Sequence, residues 1–65
     1  MYGVLNMKTS KFRVIIDIKS DDSPPRTVDR IEEAARPGDA LIYAIDESYT
    51  NERDIKSIII TKIEG

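Results

Sequence analysis

Residues 20–38 read SDDSPPRTVDRIEEAARPG, and the assignment of this stretch governs everything on either side of it. Asp21, Asp22 and Ser23 favour a turn or a helix cap, and Pro24 and Pro25 cannot continue a central strand. Pro24 suits the first turn of a helix with Ser23 as cap, and Thr27 is a competing cap. The spacing predicts a helix over 25–35. Val28, Ile31 and Ala35 then share one face with Ala34 beside them, and Asp29, Arg30, Glu32, Glu33 and Arg36 cover the rest. Asp29–Glu33 is a repulsive i,i+4 pair and Glu32–Arg36 a supportive one. Pro37-Gly38 reads as the stop signal, because the residue before proline leaves the helical region and glycine tolerates a left-handed turn.

Upstream, residues 11–19, KFRVIIDIK, alternate with period two and are rich in β-branched side chains, which predicts a strand. Phe12, Val14, Ile16 and Ile18 are expected to face the core. Ile15 falls on the other face, between Arg13 and Asp17. Downstream, residues 40–46, ALIYAID, read as a second strand that is apolar on both faces, as in a strand held between layers. Residues 47–54 form a polar connector. Residues 55–63, IKSIIITKI, read as a third strand, with Ile59, Thr61 and Ile63 alternating with Ile58, Ile60 and Lys62.

The fold class that follows is α+β: a small three-stranded sheet with one helix on one face, in the order β-α-β-β. A parallel crossover is expected to join the first two strands. A sheet curled toward a small barrel is the competing architecture. Residues 1–10 are expected to form a loose N-terminal arm ahead of a single domain over 11–65, and Met7 offers an alternative start to Met1.

One short helix covers only one sheet face. The other face is therefore expected to expose Ile15, Ile42, Ile58 and Ile60, and an apolar patch of that kind seldom stays in water. Domains this small bury only about 60% of their unfolded surface and lean on disulfides, metals or assembly. The 65 residues contain no cysteine, so disulfides are excluded. Assembly is the expected remedy, through that face or through edge pairing of the third strand.

The chain also lacks histidine. Nucleophile–base systems built on His or Cys, and Cys/His zinc sites, are thereby excluded. Asp17, Asp21, Asp22 and Asp46 are the acids that a crevice at the strand ends would gather around a hard cation. Asp17-Ile18-Lys19 and Asp54-Ile55-Lys56 each set an acid and a lysine on one strand face, a weak echo of metal-dependent nucleases. No catalytic residue, metal site or cofactor is assigned on these grounds.

The net charge is −2, which argues against broad nucleic-acid binding. It is unevenly spread: net +3 over residues 1–19, −6 over 20–54 and +1 over 55–65. A basic sheet face of Lys11, Arg13, Lys19, Lys56 and Lys62 would support a nucleic-acid-binding module as the alternative function. The primary expectation is a small, non-enzymatic protein–protein interaction or regulatory protein, cytoplasmic and homodimeric, with another protein as partner. No apolar run reaches the length of a membrane span.

Overall fold

A computed structural model describes residues 8–64. The first seven positions of the expected N-terminal arm, and the choice between Met1 and Met7, lie outside the described residues. The elements are strand β1 (Ser10–Ser20), strand β2 (Ser23–Ala34), helix α1 (Pro37–Ser48), a single 3-10 turn (Glu52–Asp54) and strand β3 (Ile55–Glu64). The protein is mixed α+β with three antiparallel-paired strands and one helix, and its sheet is open rather than curled into a barrel. The order is β-β-α-β, not β-α-β-β.

β1 and β3 fall where alternation put them, and the exchange lies between them. Residues 23–34 are a strand, and residues 37–48 are the helix. Two physical reasons account for this. Asp21 and Asp22 form a two-residue turn that sends the chain straight back along β1. Neither has a positive φ. The turn therefore lacks the primed geometry that matches strand twist, and a register shift between Ile18 and Ser20 accommodates it. Pro24 and Pro25 are then tolerated because β2 is an edge strand and both fall in that register shift, between the Ile18–Arg26 and Ser20–Ser23 pairs, where neither is matched to a residue of β1.

The second reason concerns Pro37. It opens α1 rather than closing a helix before it: the first helical position needs no N–H donor, and its fixed φ is already helical. From there Ala40 and Ala44, with Leu41 and Ile45 beside them, form a stripe of helical period. Counted in twos, the same residues look apolar on both faces, which is the strand reading. The helix ends at Tyr49, whose φ of 55° is left-handed. The Tyr49 N–H donates to the Asp46 carbonyl at 3.3 Å and the Thr50 N–H to the Ile45 carbonyl at 3.1 Å. That pair of bonds is a Schellman closure, usually built on glycine.

The strand order is β2-β1-β3, with β1 antiparallel to both neighbours. The β2–α1–β3 connection therefore steps over β1, and β2 runs parallel to β3 without touching it. The core lies between α1 and the sheet. Phe12, Val14, Ile16 and Ile18 of β1 are buried, as their alternation predicts, with Val28 and Ala34 of β2 and Ala40 and Ala44 of α1. Leu41, Ile45, Ile55 and Ile60 pack around this centre and remain partly exposed. The buried alanines let α1 approach the sheet closely. The helix rests mainly over β2, so the same side of β3 is thinly covered.

Candidate interaction surfaces

The face of the sheet turned away from α1 has no covering layer among the described residues. Register assigns its occupants, since directly opposed residues share a face. Ile15 lies opposite Ile59 on β3 and Asp29 on β2; Arg13 lies opposite Thr61 and Ile31; Asp17 lies opposite Ser57 and Thr27. Ile31 is 62% exposed and Ile59 55% exposed, while Ile15, at the centre, is half-buried.

The polar groups of this face are tied to one another. Arg13 Nε donates to Asp29 Oδ1 at 3.0 Å and its Nη2 donates to Asp29 Oδ2. This fork holds the Arg13 pKa above its ordinary value. The same hydrogen bond from Arg13 is the main reason that the Asp29 carboxyl sits below its own. Asp17 accepts from Thr27 Oγ1 at 2.9 Å on one side and from Ser57 Oγ at 2.8 Å on the other, so one carboxylate joins all three strands. Thr9 Oγ1 donates to Glu33 at 2.7 Å.

The four isoleucines expected on one face are divided by the structure. Ile15 lies on the open face. Ile58 and Ile60 stand opposite Ile16 and Val14, on the helix side of β3. Ile42 is exposed on α1, because its segment is helix and not strand. The open face instead gathers Ile15, Ile59 and Ile31. Period-two alternation along 28–34, matched to β1, would have found Ile31. The register of β3 against β1 was the missing information for Ile59.

The five basic residues are likewise dispersed. Arg13 is held by Asp29. Lys62 stands opposite Phe12 on the helix side of β3. Lys19 and Lys56 line an open cleft of about 580 Å³ at the β1–β2 turn, together with Arg53 and with the acids Asp21, Asp22 and Asp54. Three cations and three carboxylates in one polar cleft give it no dominant sign. Lys11 lies on β1 opposite Glu33. Phe12 is buried, and the exposed tyrosines Tyr43 and Tyr49 belong to α1 and its end, so among the described residues no aromatic ring stands on the open face beside these cations.

The carboxylates do not converge either. Asp46 is on α1 and Asp17 is engaged by two hydroxyls on the far side of the sheet. Among the described residues no group of three or more carboxylates is placed to hold a metal ion. On the helix side, Arg30 of β2 donates from Nε to Glu32 Oε2 at 2.8 Å and from Nη2 to Glu47 of α1. The Glu32 hydrogen bond is the leading reason that the Arg30 pKa is raised. This bridge pins α1 to β2 and satisfies Glu32, which is only 8% exposed.

No helix among the described residues is long and apolar enough to cross a membrane. Comparison with known proteins finds no relative: no protein-family model, no curated protein and no solved structure matches the chain.

Proposed function

We propose that the chain is a small, non-enzymatic protein–protein interaction or regulatory protein that acts as a homodimer. The observation that carries this reading is the large aliphatic surface left in water. Ile31, Ile42, Ile58, Ile59 and Ile63 are all exposed, on a domain whose buried aliphatics larger than alanine are Val14, Ile16, Ile18 and Val28. Burial of a single such side chain is worth roughly 1.5–3 kcal/mol. A domain of this size gains a large fraction of its stability by covering a few of them. The polar groups of the open face are already paired among themselves, so covering it leaves few charges without a partner.

The alternative, a nucleic-acid-binding module working through Lys11, Arg13, Lys19, Lys56 and Lys62, draws less support, because acids lie beside the first four of these cations and Lys62 stands apart on the helix side. Net charge and cleft chemistry both favour a protein surface as the partner.

Light scattering during size exclusion tests the reading. The 7.4 kDa chain is expected at about twice that mass throughout the micromolar range. A mass of 7.4 kDa at every concentration overturns the homodimer.

A further inference from the structure

We propose that the two copies join edge to edge through β3, antiparallel and centred on Ile59, giving one six-stranded sheet in the order β2-β1-β3-β3-β1-β2. This inference rests on the homodimer reading and specifies its interface.

The two edges of the sheet are unequal. β2 opens with Pro24 and Pro25, which offer no N–H, and carries Arg26, Asp29, Arg30, Glu32 and Glu33 along its length. Such an edge resists pairing. β3 has no proline, and among the described residues its outer edge pairs with no strand. Alternate residues of that edge point their N–H and C=O groups outward, ready for another strand.

The sequence of β3 indicates which strand. Residues 55–63 read Ile-Lys-Ser-Ile-Ile-Ile-Thr-Lys-Ile, the same in side-chain class from either end. A twofold axis through Ile59 sets Ile59 against Ile59 of the second copy. It sets Ile58 against Ile60 and Ser57 against Thr61. Isoleucine meets isoleucine and hydroxyl meets hydroxyl, and such cross-strand pairs are the favourable ones in sheets. An isologous contact requires this self-complementarity, which an unrelated partner strand would have no reason to match.

The regular part of the strand is the part that would pair. Against β1, the register shifts at Lys56 and again at Ile63, so Ser57–Lys62 is the uninterrupted run. Lys56 and Lys62 bracket its uncharged centre. In the centred register they oppose each other at the two ends, a modest like-charge cost in water. Sliding by two residues places a lysine opposite Ile58 or Ile60 instead. The lysines thus weaken the dimer a little and fix its register. The thin cover of α1 over β3 leaves Ile58 exposed and Ile60 partly so on the helix side, where the same pairing brings them together across the axis.

The absence of cysteine makes this testable with single thiols in the full chain. Directly opposed residues lie within disulfide reach. Ile59→Cys is expected to oxidise to a covalent dimer about a hundredfold faster than Ile31→Cys at 10 μM-scale protein, since a paired thiol sees a partner at about millimolar effective concentration. Mixed Ser57→Cys and Thr61→Cys proteins are expected to give the mixed disulfide in excess over either homodisulfide. Dimer affinity of the unmodified chain is expected to rise with salt, as the lysine pairs are screened.

Failure has separate signatures. A monomeric mass overturns the homodimer and this interface together. A dimeric mass with Ile31→Cys linking faster than Ile59→Cys overturns only the edge-to-edge interface, in favour of stacked open faces. Homodisulfides dominating the Ser57→Cys and Thr61→Cys mixture overturn the antiparallel register. Should Ile59→Cys fail to fold by circular dichroism, the mixed pair decides alone.

Discussion

Arg13 and Asp29 clasp each other on a diagonal of the open face: Arg13 stands opposite Ile31, yet its guanidinium reaches two residues along β2 to the Asp29 carboxylate, with Nε to Oδ1 at 3.0 Å. The fork runs between Ile15 and Ile31, so a charged pair sits inside the apolar patch and is neutralised there. A carboxylate whose folded pKa is depressed adds stability above its unfolded pKa, and the contribution is lost as pH falls through the folded value.

The pair therefore predicts a pH signature below about pH 4, the ordinary aspartate range. Urea midpoints measured down the acid limb are expected to fall less steeply in Asp29→Asn than in the parent chain, and the two are expected to converge at the acid end. Both side chains are about half exposed, so the effect at neutral pH is expected to be small. An acid limb unchanged by Asp29→Asn would contradict this role for the fork.

The helix-side bridge is expected to matter more. Arg30→Met leaves the buried Glu32 without its cation and frees Glu47 from β2. Denaturation is expected to show a larger loss than Arg13→Met produces. Adding Glu32→Leu to Arg30→Met is expected to recover most of it, because an apolar pair leaves no buried charge behind. A double-mutant cycle measures the coupling.

Tyr49 is a bulky residue in the left-handed region and is 93% exposed, so its side chain contributes almost no packing. Replacing it with glycine removes a backbone penalty of roughly 1 kcal/mol. Tyr49→Gly is expected to raise the thermal midpoint by about 4–8 °C at unchanged helix content. A lower midpoint would show that the Tyr49 ring has a contact worth more than its strain.

Ala40 and Ala44 are fully buried where α1 meets the sheet. Ala44→Leu is expected to push the helix outward and to cost about 1–3 kcal/mol. At the centre of the core, Ile16→Val is expected to cost about 0.5–1.5 kcal/mol and Ile16→Ala about 2–5 kcal/mol, enough to unfold a marginal domain. Chemical denaturation of the three variants checks the order.

β1 and β3 were legible from sequence because their alternation is carried by isoleucine and valine, β-branched residues that favour strands, and turn residues or polar segments bound them. The middle of the chain was not. Val28 and Ile31 are spaced for a helix, and Pro37-Gly38 is a common helix stop. Yet Val28, Arg30, Glu32 and Ala34 also alternate, with two of the four polar, so the strand period is hidden by its own inward-facing charges. Only pairing with β1, and the Arg30 bridge that neutralises Glu32, makes that alternation favourable. Both are long-range facts, and propensity yields to them. The site was lost with the same exchange: once 23–34 is a strand, Ile31 leaves the core for the open face. Meanwhile β3 turns Ile58 and Ile60 toward the helix.

The central strand of this sheet is the first to be synthesised, and its two neighbours arrive at very different times. β2 follows β1 after two residues, a closure that chains complete on about the microsecond scale of hairpins. β3 must wait for the chain to close over α1 and the 3-10 turn, and its pairs with β1 lie 37 to 53 residues apart in sequence. During folding β1 therefore spends an interval with one side zipped to β2 and the other bare. The time taken by that long closure, rather than final stability, then sets how long an unpaired, isoleucine-bearing edge is open to misassembly.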